Sequence, residues 1–115
     1  MNIIDNKLEF NSNISKIGNV DTIVLHHSGV TVLQSVETIH NYHKNTNGWA
    51  GIGYHYYVRK DGSIYKGRDE KYAGAHCPGK NSTSIGICAE GDFEQEQMSE
   101  VQKNAIIELI ADIKT

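Results

Sequence analysis

One proline, two cysteines and two phenylalanines in 115 residues set the first limits on this chain. Cys77 and Cys88 alone cannot make a disulfide framework, so both are read as reduced. Cys88, in an apolar stretch, reads as a small buried hydrophobe. No apolar run approaches the roughly 18 residues of a membrane span, and the opening MNIIDNKLEF lacks a basic segment followed by an apolar one. Synthesis in the cytoplasm without a signal peptide, and no membrane partner, are therefore expected. Neither sign of charge dominates, with 11 basic against 14 acidic residues spread along the chain. Without a basic stripe to follow a phosphate backbone, nucleic acid is not an expected partner. No repeat or linker occurs, and the length allows one domain of about 100–150 residues. A composition 38% apolar and 22% charged excludes disordered and collagen-like classes.

What is present alternates between strand and helix signals. TIVLHH, residues 22 to 27, is a short β-branched run that predicts a buried central strand. Two cap signals compete for the helix that follows, Thr31 with Gln34 and Ser35 with Glu37. Val36, Ile39 and His43 share one face of that helix, which should stop near NTNG. Residues 54 to 60 are strand-like, KDGS supplies a tight turn, and SIYKGR returns as a hairpin. SIGICAE, 84 to 90, predicts another buried strand. Ser99 with Gln102 opens a last helix whose apolar face comprises Val101, Ala105, Leu109, Ile106, Ile110 and Ile113. The pattern predicts an α/β single domain, residues 1 to 115, with a mixed central β-sheet and flanking helices.

Six histidines carry most of the candidate chemistry, since neutral imidazole is both a zinc ligand and a general base. His26 and His27 are adjacent in a strand, so they point to opposite faces and only one can enter a given site. The residues alone leave that choice open. His40 and His43 lie three apart on a helix and could share a metal, although HExxH spacing is absent. His76 and Cys77 in HCPG are adjacent, whereas zinc sites use wider spacings. Glu37 and the acidic Asp92, Glu94 and Glu96 read as solvated turns. No GxSxG elbow or glycine-rich phosphate loop occurs. Strand alternation puts Tyr54, Tyr56 and Val58 on one face and His55, Tyr57 and Arg59 on the other. Trp49, between Gly48 and Gly51, reads either as a flat platform for a sugar ring or peptide or as a core anchor.

Taken together, IVLHHSG (23 to 29), GWAGIGYHYYVRKDGSIYKGRDE (48 to 70), GAHCPGKNSTSIGICAEGDF (74 to 93) and QMSEVQ (97 to 102) resemble the type-2 N-acetylmuramoyl-L-alanine amidases. That family includes phage amidase-type lysozymes and peptidoglycan recognition proteins, and the resemblance covers roughly residues 20 to 114. It implies a zinc hydrolase, of phage or bacterial lysin type, that cuts the amide between N-acetylmuramic acid and L-alanine in the cell wall. It implies His26 as a zinc ligand, Tyr54 as the catalytic tyrosine, and His76, Asn81 and Trp49 along the muropeptide groove. Cys88 falls where another branch has a catalytic glutamate. The family's remaining His and Cys ligands, and a lysine of the phage branch, lie beyond the second helix and past Thr115. The resemblance thus implies a domain incomplete at its C-terminus. Three readings follow: a piece of a longer amidase, a binding module that keeps the groove, or an unusual site completed by His76 or Cys77. An apolar face left open on the last helix leads to the expectation of self-association.

Overall fold

The computed structural model describes residues 1–11 and 14–114. Among these, the elements in chain order are β1 (Ile3–Ile4), β2 (Thr22–His27), α1 (Val36–Asn45), β3 (Tyr56–Val58), β4 (Ile64–Lys66), β5 (Ser84–Ala89) and α2 (Glu100–Lys114). The sheet runs β1-β4-β3-β5-β2. β3 and β4 pair antiparallel, while β1–β4, β3–β5 and β2–β5 are parallel, which makes the mixed α/β sheet that the sequence predicts.

Side chains alternate across a strand, and the two resulting faces are covered by different helices. Tyr56, Val58, Ile85, Ile87 and Ala89 pack with Ile106 and Leu109 of α2. Tyr57 and Cys88 pack on the other side with Val36 and Ile39 of α1. All of β5 is therefore buried, and its sequence reads as one continuous run rather than an alternation. The hairpin turns at Gly62, whose φ of +87° suits glycine, and its N–H donates to the Arg59 carbonyl.

Of the two cap signals before α1, the structure uses Ser35, whose side chain accepts the Thr38 N–H. Ser99 accepts the Gln102 N–H and donates its own hydroxyl to the Lys60 carbonyl, anchoring the start of α2 to the hairpin. The Gln102 side chain does not reach back to complete a capping box. It is fully buried and donates to the Val58 and Glu90 carbonyls. Gln102 thus takes the core position expected of Val101, which is 53% exposed.

Two further expectations are corrected. β2 is not central: among the described residues it pairs only with β5, and Leu25 is 49% exposed. A β-branched run reports burial on the face that is packed, not the number of lateral neighbours, of which β2 has one among the described residues. Tyr54 does not share a face with Tyr56 and Val58. The regular strand begins at Tyr56, and Tyr54 packs with the cluster of Ile52, Tyr57 and Cys88. The cause lies in the main chain, where Gly67 and Arg68 donate in succession to His55 and Tyr54 and break the alternation of a regular ladder.

Candidate functional site

At the end of β2, His26 stands beside Cys88 in the register of β5. Its ring centroid is 5.3 Å from that of Tyr54 and 5.0 Å from that of His76. His26 Nε2 lies 2.9 Å from His76 Nδ1. His27 points to the opposite face, where its Nδ1 accepts the Phe93 N–H. Between two adjacent histidines, then, it is His26 that meets Tyr54. On α1, His43 completes the group, with its ring 5.7 Å from Tyr54 and 4.7 Å from Trp49. His43, Tyr54, Cys88, Ser28 and Thr38 line a cleft of about 380 Å³.

Main-chain hydrogen bonds hold these rings. His43 Nδ1 accepts the Gly53 N–H at 3.0 Å, one residue before Tyr54. His40, one turn earlier, accepts the Ile52 N–H at Nδ1 and bonds the Glu9 carbonyl through Nε2. Both nitrogens of His40 are occupied, so the pair on α1 serves as two adjacent staples rather than a metal chelate. His55 is fully buried, with Nδ1 accepting from Gly86 N–H and Nε2 bonding the Tyr72 carbonyl. Arg68 is also buried, and donates to the carbonyls of Ile52 and Ala73, joining the segments that lead to Tyr54 and His76. His76 sits where neighbouring side chains are missing: a Cβ at Gly74 or Gly86 would approach its ring to 2.4 and 2.6 Å. Asn81 Oδ1 accepts the N–H groups of His76 and Cys77, both at 2.9 Å, so its carbonyl oxygen shapes this loop.

With this geometry in place, the comparisons are decisive for the family. The sequence pattern of N-acetylmuramoyl-L-alanine amidase matches residues 16–115. The chain belongs to the N-acetylmuramoyl-L-alanine amidase family. It is 34% identical over 84 residues to an endolysin of Klebsiella phage KP32, covering 69% of this chain and 55% of that one. Among solved structures it is similar to the N-acetylmuramoyl-L-alanine amidase LysC from Clostridium intestinale URNW, with TM-score 0.92 and 37% identity. That match covers 98% of this chain and 74% of LysC. It is also similar to peptidoglycan recognition proteins LCa and LCx, solved as an ectodomain complex with tracheal cytotoxin, with TM-score 0.89 and 27% identity, covering 97% of this chain and 75% of that chain. The chain spans about half the length of the curated relatives it matches.

Within the amidase fold the cluster is electrically quiet. Burial lowers His26, with His27 adding to the effect. Burial, then His26 and His55, pulls His76 down to about 4. Burial, then the Arg68 charge, takes His43 to about 4. At neutral pH these rings are uncharged, and because His43 Nδ1 is an acceptor, its Nε2 carries the proton. Burial, reinforced by Cys88, raises the Tyr54 hydroxyl, which stays protonated as a hydrogen-bond donor. Burial raises the Cys88 thiol to about 12, so it is an inert packing group.

Among the described residues, no three or more His, Cys, Asp or Glu side chains gather where they could hold a metal ion. A catalytic zinc takes three protein ligands. His26 has the right chemistry for one of them, but the described residues alone do not complete a zinc site. Cys77 joins no such group, and its backbone N–H is tied to Asn81. His43, weighed from the sequence only as a possible metal partner of His40, joins the cluster instead through Tyr54 and Trp49. The available signal was its place on one face with Val36 and Ile39, which marks a half-buried histidine at the groove rather than on the surface.

Proposed function

We propose that this chain forms the muropeptide groove of a peptidoglycan amidase acting on the bond between N-acetylmuramic acid and L-alanine in the bacterial cell wall. The observation that carries this reading is the convergence of His26, His76 and His43 on Tyr54, which with His43 lines the cleft. Family membership supports it, as do the phage endolysin and the recognition proteins complexed with tracheal cytotoxin.

In this reading the Tyr54 hydroxyl donates to the carbonyl oxygen of the scissile amide as negative charge develops there. His43 Nε2–H is a second fixed donor facing the cleft. Trp49, 37% exposed and packed on His43, offers a flat rim for a sugar ring or peptide. His76 and Asn81 are proposed as groove residues, the first beside Tyr54 and the second through its hold on the His76 loop. His26 is proposed as the zinc ligand that this chain offers.

The same groove supports a second reading, muropeptide capture without cleavage, because Tyr54, His43, Trp49 and His76 offer ring faces and hydrogen-bonding groups that bind a ligand without any chemical step. Both are tested by incubating the chain with purified peptidoglycan, counting newly freed L-alanine amino termini, and sedimenting the insoluble wall in the presence of chelator. Freed termini support the amidase. Co-sedimentation without freed termini makes capture the function of these residues, and the absence of both freed termini and co-sedimentation overturns both readings.

A further inference from the structure

Ser84 closes one end of a hydrogen-bond chain that reaches His26. It is fully buried at the start of β5, and its Oγ donates to the Lys80 carbonyl at 2.6 Å. A hydroxyl has one proton to give. With that proton committed to Lys80, the 3.3 Å contact between Ser84 Oγ and His76 Nε2 is a donation from the ring. The two distances decide against the reverse order, in which Ser84 would abandon the shorter bond for the longer.

A neutral imidazole carries one proton, so a His76 protonated at Nε2 has a bare Nδ1. That Nδ1 lies 2.9 Å from His26 Nε2. His26 therefore donates from Nε2, and its own lone pair is left at Nδ1. The chain is built rather than incidental. His76 has room for its ring only because residues 74 and 86 are glycine, where a Cβ would come within 2.4 and 2.6 Å of it, and its backbone N–H is fixed by Asn81.

We propose that the relay from the Lys80 carbonyl through Ser84 and His76 fixes His26 in its Nε2-protonated tautomer, making Nδ1 the atom at which His26 receives a hydrogen-bond donor or a metal ion. His76 is then a positioning residue for His26 as well as part of the groove wall. The inference rests on the reading of this cluster as the functional site, yet the proton order itself holds whether or not peptidoglycan is cleaved. It follows the general rule that a histidine meeting a ligand through one nitrogen is oriented by the hydrogen bond of the other, a bond whose loss typically costs 10–100-fold in metal affinity.

The test is long-range proton–nitrogen correlation NMR on the metal-free, nitrogen-15-labelled chain near neutral pH. His26 and His76 are each expected to show a pyrrole-like Nε2 and a pyridine-like Nδ1. Ser84→Ala removes the acceptor of the His76 Nε2–H, and both rings are expected to shift toward mixed tautomers. A wild-type His26 protonated at Nδ1, or averaged between tautomers, overturns the proposal without any variant being needed. A Ser84→Ala spectrum identical to wild type overturns the anchoring role of Ser84. Failure of the peptidoglycan assays with the expected spectrum intact removes the proposed function and leaves the proton order standing.

Discussion

His43 of α1 accepts the backbone N–H of Gly53 through Nδ1 at 3.0 Å, so a helix side chain sets the approach of the main chain to Tyr54. Replacing His43 with alanine leaves that half-buried N–H without its partner. An expected loss of about 1–3 kcal/mol follows from the cost of an unsatisfied donor. Urea unfolding of His43→Ala checks it, and an unchanged midpoint would show that the bond does not support the fold.

Acid should loosen the same staples. His43 is lowered from 6.5 to about 4 by burial and then by Arg68, and His40 is lowered chiefly by burial. Their folded values lie below the unfolded ones, so the unfolded chain binds protons first. The stabilisation is whole above about 6.5 and is lost as pH falls through the window toward 4. Thermal midpoints measured across that window should fall, and His43→Gln, which cannot titrate, should flatten the slope.

Tyr54 is expected to act through its hydroxyl. If the amidase reading holds, Tyr54→Phe lowers kcat on peptidoglycan by about 10²- to 10³-fold, the cost of removing one preorganised donor to a developing oxyanion. The ring stays in place, so the unfolding midpoint should change little. Release of L-alanine amino termini at the wild-type rate would remove this role.

Gly86 offers a steric test of the His76 wall. A Cβ there would meet the His76 ring at 2.6 Å, and one at Gly74 would meet the same ring at 2.4 Å. Gly86→Ala is expected to cost about 1–3 kcal/mol as an overpacking change. Because the ring must move, the hydrogen bond between His26 and His76 should also disappear from the imidazole NMR spectrum.

Glu90 anchors the loop that enters α1. It is 1% exposed, pairs with Arg59 at 3.0 Å, and accepts the N–H groups of Gln34 and Lys60. Truncation to alanine strands Arg59 and two backbone donors. A loss of about 3–5 kcal/mol is expected, as for other half-broken buried pairs. Glu90→Gln should lose less by the same urea measurement.

Much of this architecture is legible along the chain because it depends on local signals. The Asp61-Gly62 turn, the apolar run of β5, and the serines that begin α1 and α2 each announce themselves within a few residues. What stays hidden depends on distant partners. Nothing near Tyr54 reveals that Gly67 and Arg68 donate in succession to His55 and Tyr54, which turns its side chain toward α1. Nothing near Gln102 reveals that two carbonyls, of Val58 and Glu90, await its amide in the core. The two-residue β1 is too short for any pattern. At the site, adjacency of His26 and His27 shows that they diverge, but which one meets Tyr54 is a property of the β2–β5 register.

The grip on His40, His43 and His55 has an evolutionary corollary. Their fixed partners are main-chain groups of Ile52, Gly53, Gly86, Glu9 and Tyr72. A peptide group survives almost any change of the side chain attached to it, whereas no other side chain places a donor and an acceptor at the two nitrogen positions of an imidazole ring. Mutational tolerance around the groove should therefore be one-sided, permissive at positions such as Glu9 and Tyr72 and sharply restrictive at the rings they hold. Lineages can thus diversify the scaffold while the geometry of the cleft is inherited almost unchanged.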